Sequence, residues 1–236
     1  MSKYQKFLFH FVELRSTLIK SFFCFGFIFV SIAPFSNDIY NFFAEPLLSQ
    51  LEYLNGSIIA TKLTATFIVP FKITAFVALL TSLPLIFFQI WKFIAPGLFK
   101  KEKLLFLGVF FSGYCLFLLS AMFAYWVVFP SIFRFFVMMT PSGVNLMVDI
   151  SSYLEMILAL FLAFGIAFQI PVILVAMVKL KWVSIVQLKK NRSYLIIGAF
   201  VFGAIFTPPD VISQILLAIP VLILYELGIF IARKLS

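Results

Sequence analysis

The sequence predicts an all-α, polytopic membrane protein. Six transmembrane helices are expected, kinked and forming a concave, cup-like bundle, with both termini cytoplasmic. Three observations carry this. First, 64% of the 236 residues are apolar and only 11% are charged, against roughly 45–50% and about 25% in soluble domains. Such a chain cannot cover a globule with polar groups. Second, the charged residues cut the chain into long apolar runs. Third, the basic residues gather in alternate loops. Together they exclude a cytosolic enzyme, a secreted disulfide scaffold and a disordered chain. A single integral membrane domain over residues 1–236 is expected.

The elements follow in order. Residues 21–37, 73–91, 104–133, 156–178 and 193–209 carry no charge, and 211–231 carries only Glu226. A spanning helix needs about 20 apolar residues. The predicted spans are therefore 18–35, 71–92, 106–130, 155–178, 193–206 and 212–231. Membrane β-strands are excluded, because the runs are too long and lack alternation. Ser31-Ile32-Ala33 resembles a cleavage site, but Pro34 follows directly and the leading segment is long, so the first span is read as retained. Between the first two spans, residues 35–69 read as a structured outer loop with a short interfacial helix around 39–51. Pro84, Pro171 and Pro220 lie within spans, where proline removes a helix hydrogen bond. Several such kinks suggest a curved wall. No internal repeat is apparent.

The loops set the orientation. Fifteen of the 18 basic residues fall before the first span, between the second and third, between the fourth and fifth, and after the sixth. Only Lys62, Lys72 and Arg134 remain for the other face. The positive-inside rule places both termini in the cytoplasm or its organellar equivalent.

Little catalytic chemistry is available. Cys24 and Cys115 lie in apolar runs, and His10 is the only histidine. These cannot build a cysteine or multi-histidine metal site, nor a haem held by two histidines of one chain. No nucleophile–base pair or phosphate-binding loop appears. No catalytic residue, metal or cofactor is expected, and the protein is not read as an enzyme. Glu226 is the one clear ionisable group in a span. Such groups often mark proton paths, although near a span end an interfacial carboxylate serves equally well. On the inner face only Glu13 and Glu102 are loop acids. A carboxylate there suits a guanidinium, which it can take bidentately. Plainer roles also fit: Glu102 as a helix-start acid, Glu13 as a partner of Lys6 or Arg15, and Phe93 as an interfacial anchor.

These stretches carry a resemblance. His10-x-x-Glu13-Leu14-Arg15, then Pro84 through Gln89-x-Trp91-x-Phe93-Ile94-Ala95-Pro96-Gly97-Leu98 and Glu102, recur in the TatC family, the polytopic core subunit of the twin-arginine protein translocase. Phe164-Gly165-x-x-Phe168-x-x-Pro171, Gly198-Ala199-Phe200, Thr207-Pro208-Pro209-Asp210, Gln214 and Leu217-Ala218-Ile219-Pro220 are similar to its later spans. Any one motif is weak, but the ordered set, covering residues 7–231, is specific. The resemblance implies a receptor for twin-arginine signal peptides of folded cargo, which nucleates a translocase driven by the proton-motive force. In it Glu102 takes a signal arginine, with Phe93, Glu13 and Arg15 around it. It implies single-span partners of the TatA/TatB type docking at Thr207 and Gln214, self-association in a receptor complex, contact with membrane lipid, and no nucleic acid. Members often carry glutamate where Gln169 stands, facing the binding concavity; Gln169 is retained as a contact, and Gln169→Glu is expected to strengthen binding or leave it unchanged. The expected location is the bacterial inner membrane, with an organellar membrane as the alternative. A rival class, a polytopic solute transporter or permease, is favoured by six kinked spans. The missing repeat and the scarcity of midplane polar groups count against it.

Overall fold

The computed structural model describes residues 3–52, 56–94, 100–141, 143–207 and 210–235, with side chains for all of these except 3–11, 94, 100–102 and 104–105. In chain order the elements are α1 (Lys3–Ile32), a 3-10 turn (Ala33–Phe35), α2 (Ser36–Leu51), β1 (Ser57–Ile59), α3 (Ala65–Ile94), α4 (Lys100–Phe123), a π-helical turn (Ala124–Val128), α5 (Phe129–Met139), β2 (Met147–Asp149), α6 (Ile150–Ala167), α7 (Ile170–Lys179), α8 (Ile185–Lys190), α9 (Arg192–Phe206) and α10 (Val211–Leu235). Among the described residues, five helical stretches are long and apolar enough to cross a membrane, and Arg192–Phe206 is apolar but shorter. The protein is a polytopic all-α membrane protein, and each predicted span falls on one of these six stretches. The outer helix expected at 39–51 is α2.

The prolines act in two ways. Pro70 and Pro84 lie inside α3 and Pro220 inside α10. At Pro171, by contrast, the fourth span breaks: α6 ends at Ala167, and α7 restarts with the proline in its first turn. The missing N–H at the start of a helix leaves no bond unmade. Pro130 likewise opens α5, directly after the π-helical turn.

The residues group into two compact units, residues 1–42 with 62–104, and residues 43–61 with 105–236. In the first unit α1 packs along α3. Ser21 Oγ donates to Gln89 Oε1 (3.1 Å), and the Phe29 and Phe71 rings meet edge-on at 6.5 Å. These two contacts run in opposite order along the two helices, so the pair is antiparallel. Thr74 and Ser82 are fully buried, and each hydroxyl donates to a carbonyl one turn back, which removes the cost of an unpaired buried group.

The second unit is built on α6, whose Tyr153, Ile157, Leu160, Phe161 and Phe164 form a buried stripe at helical spacing. The phenylalanine-rich composition does its packing here: Phe161 meets Phe129 at 4.9 Å and Phe43 at 5.5 Å, both edge-on, the favoured aromatic geometry. Tyr153 Oη donates to the Phe43 carbonyl at 2.5 Å. Helix α10 packs on α7 and α9. A Cβ at Gly228 would lie 2.9 Å from Pro171 Cα, and one at Gly203 would lie 3.4 Å from Gln214 Cα. Small residues set both approaches.

The outer loops contain an element that the sequence did not predict. β1 and β2 pair in parallel, Ser57 opposite Met147 and Ile59 opposite Asp149. Asp149 fastens this pair to α6. It accepts from Ser151 N and Ser152 N as the helix N-cap, and from Thr61 N (3.1 Å) and Thr61 Oγ1 (2.7 Å). The Thr61 bonds, followed by the cap bonds, hold its carboxyl at about 2, because each donor favours the charged form.

Candidate functional site

Glu13 and Arg15 lie on α1 before Ser21, and Phe93 lies on α3 after Gln89. Because the helices are antiparallel and joined at Ser21–Gln89, both directions lead to the same end of the pair. Glu13 is eight residues from Ser21, about 12 Å along the axis, and Phe93 four residues from Gln89, about 6 Å. Glu13 and Arg15 are exposed and Phe93 is half-buried. Arg15 makes no ion pair among the described residues. The end so defined therefore presents a carboxylate, a guanidinium and a ring. Glu102 follows within the first turn of α4, but its side chain lies outside the described residues.

Gln169 belongs to the other unit. It sits at the break between α6 and α7, half-buried, and its Nε2 donates to the Gly113 carbonyl of α4 at 3.1 Å. The carbonyl can only accept, so the amide's orientation is dictated, and Oε1 remains an acceptor.

Thr207 ends α9, buried, with Oγ1 donating to the Gly203 carbonyl at 2.9 Å. Gln214 lies in the first turn of α10, half-buried, its backbone against Gly203. No hydrogen bond joins the Gln214 amide to Thr207 among the described residues. The start of α10 is capped by Asp210, whose Oδ2 accepts from Ser213 N at 2.7 Å.

Glu226 lies on α10. It takes Arg192, at the start of α9, at 2.6 Å, and both side chains are about half exposed. Sequence reasoning did not pair these two residues. It also missed the Ser21–Gln89 tie and the capping box of α8, where Ser184 and Gln187 bond each other's backbone N–H. The spacing Ser-x-x-Gln signals the last of these.

The fold and these surfaces define a multi-pass helical membrane protein that presents a charged and aromatic patch at one end of its first helix pair. Comparison with known proteins narrows this class. The family "Sec-independent protein translocase protein (TatC)" matches residues 9–220. A Sec-independent protein translocase protein TatC of Haemophilus influenzae is 45% identical over 227 residues, which cover 95% of this chain and 87% of the relative. That of Escherichia coli K12 is 43% identical, covering 95% and 86%. A crystal structure of a twin-arginine translocase receptor, TatC, superposes with a TM-score of 0.79 at 34% identity, covering 94% of this chain and 99% of that one. The chain belongs to the TatC family of Sec-independent protein translocases. It is accordingly a multi-pass protein of the bacterial inner membrane and a component of a Tat translocase complex. None of these relatives is a solute permease.

Proposed function

We propose that this chain is the core receptor of its translocase. Residues 1–236 work as one membrane domain, with both termini cytoplasmic, that binds the twin-arginine signal peptides of folded proteins. Bound signal peptide then nucleates assembly of the complex that the proton-motive force drives. One observation carries this reading: the antiparallel α1/α3 pair gathers Glu13, Arg15 and Phe93 at one end, immediately before the α4 turn that carries Glu102. The Glu102 carboxylate takes a signal arginine, and Glu13 adds negative charge nearby. Phe93 supplies a face for a guanidinium, and Arg15 donates to peptide carbonyls. In the second unit Gln169 keeps Oε1 as an acceptor while Nε2 holds Gly113, and it is a separate, neutral candidate contact for the peptide. A charge-assisted contact contributes roughly 1.5–3 kcal/mol, or about ten- to a hundredfold in affinity.

The test is co-purification of the membrane-inserted chain with a folded reporter bearing a twin-arginine signal, against a twin-lysine control. The twin-arginine reporter should be retained selectively, and Glu102→Ala should reduce retention at least tenfold (about 1.4 kcal/mol) at unchanged protein abundance. Equal capture of both reporters, or full retention by the variant, refutes the assignment.

Single-span subunits of the same complex dock along α9 and α10. Supporting this are the half-buried Gln214 amide without a hydrogen bond among the described residues and the shortness of α9. An amide facing lipid is costly unless a partner helix answers it. Gln214→Leu should weaken a cysteine crosslink between this region and the partner's span; an unchanged crosslink places the partner elsewhere.

A further inference from the structure

We propose that residues 179–194, at the lysine-rich end of α7, α9 and α10, form a binding site for the phosphate headgroup of anionic phospholipids in the adjoining leaflet.

The site is rigidly mounted. Leu188 of α8 is buried with Leu174, Tyr225 and Ile229, and Tyr225 Oη donates to the Leu188 carbonyl at 2.8 Å. The Ser184–Gln187 capping box closes the other end of this short helix. With Leu188 turned inward, Lys189 and Lys190 stand exposed beside Val186, one turn earlier.

The charge is uncompensated. Residues 179–192 include Lys179, Lys181, Lys189, Lys190 and Arg192 and no acidic residue. Arg192 is taken by Glu226. The four lysines are exposed and have no ion pair among the described residues. Amid this charge stand large apolar side chains in the open: Trp182 is 74% exposed, Val186 76% and Tyr194 76%. Exposed tryptophan and tyrosine interleaved with lysine suit a bilayer interface, where rings sit at headgroup level and ammonium groups meet phosphate.

The backbone adds a further observation. Lys181 has φ 59°, the one positive value at a non-glycine among the described residues. It closes α7 in a left-handed turn, with Lys181 N bonded to the Val178 carbonyl and Trp182 N to the Met177 carbonyl. Glycine usually takes that position. A lysine there keeps a cation at the helix end, next to the exposed Trp182. Orientation during insertion accounts for the positive charge of this loop, but requires neither the exposed rings nor the left-handed lysine.

The experiment uses the full chain in vesicles, with Trp91→Phe and Trp126→Phe leaving Trp182 as the only tryptophan. Quenching by acyl-brominated phosphatidylglycerol is compared with that by brominated phosphatidylcholine at equal mole fraction. The anionic lipid should be enriched about fivefold at Trp182, on the order of one lysine's attraction to an anionic surface. Lys189→Gln with Lys190→Gln should bring the ratio close to one. That pair leaves Lys179, Lys181 and Arg192 to maintain orientation, and an unchanged elution volume checks folding. Equal quenching by both lipids in the parent chain overturns the proposal, as does a ratio that survives the double substitution. Quenching by neither lipid also overturns it, in favour of a protein-docking surface. In a further arm inorganic phosphate replaces chloride at matched ionic strength. The ratio should persist; its loss identifies a free-anion site and refutes a lipid one.

Discussion

Gln169→Glu separates stability from binding, and the structure gives the stability effect a sign that the sequence did not. The parent amide donates through Nε2 to the Gly113 carbonyl at 3.1 Å, joining the α6/α7 break to α4. An ionised carboxylate has nothing to donate. It would place a negative oxygen against a carbonyl oxygen at about hydrogen-bond distance. The lost bond costs about 1 kcal/mol net, and the opposed acceptors cost roughly 1–3 kcal/mol more. Because Gln169 is half-buried, the lower end applies, for a total of about 2 kcal/mol. That is about thirtyfold in the folding equilibrium. Gln169→Leu removes the bond without adding charge and should cost about 1 kcal/mol. Thermal unfolding in one detergent should therefore rank the parent first, leucine second and glutamate last. Signal-peptide affinity, measured per folded molecule, should be unchanged or higher in the glutamate variant, since the new charge can meet a guanidinium. A glutamate variant as stable as the parent refutes the argument, because the amide would then not be holding the Gly113 carbonyl.

Three further predictions rest on other parts of the molecule. Gly228→Ala places a methyl 2.9 Å from Pro171 Cα and 2.8 Å from Leu174 Cδ1; backbone cannot swing aside, so a loss of about 1–3 kcal/mol is expected, read as a lower unfolding temperature, whereas Gly198→Ala, with nothing within 4 Å of its added Cβ, should be neutral. The Asp149 carboxyl is held at about 2, down from 3.8; its contribution is complete above the unfolded value and disappears as pH falls through the folded one, so exchange protection of the Thr61, Ser151 and Ser152 amides should fall between about pH 4 and 2, and Asp149→Asn should lack that transition. A single cysteine at Ser57, in a background without Cys24 and Cys115, should react with an impermeant thiol reagent from outside intact cells and one at Ser184 should not; labelling at Ser184 would invert the topology.

How much was legible depended on the range of each interaction. The spans could be read because burial in lipid excludes charge over about 20 residues, a local property of the chain. The break after Ala167 falls at Pro171, which was read as a kink, and α2 covers the helix read at 39–51. The β1–β2 pairing was not readable: each strand has three residues, and Ser57 and Met147 are 90 positions apart. The grouping of Glu13, Arg15 and Phe93 was implied by the family resemblance, and the antiparallel α1/α3 pair brings the three to one end. The Gln169–Gly113 bond, 56 positions apart, was not, because a polar residue beside a helix break carries no mark of the partner it will reach. Glu226 was recognised as the one acid in a span, but Arg192 as its partner was not, since only the packing of α9 on α10 brings them together.

That ion pair bears on whether Glu226 belongs to a proton path. A proton path through the membrane needs titratable groups in sequence across it. The apolar runs of this chain hold one, Glu226, and it lies near a span end, about half exposed and bonded to Arg192. Its partner is a guanidinium at 2.6 Å, and no second titratable group stands in the run to pass a proton onward. The apolar runs therefore offer no series of titratable groups, and Glu226 is expected to serve the fold rather than a proton path. Glu226→Gln tests this. An exposed pair contributes at most about 1 kcal/mol, so the variant should fold and assemble, and it should export twin-arginine cargo at the parental rate across a range of external pH. A collapse of export in a variant that still inserts and still binds signal peptide would place Glu226 in the proton's path.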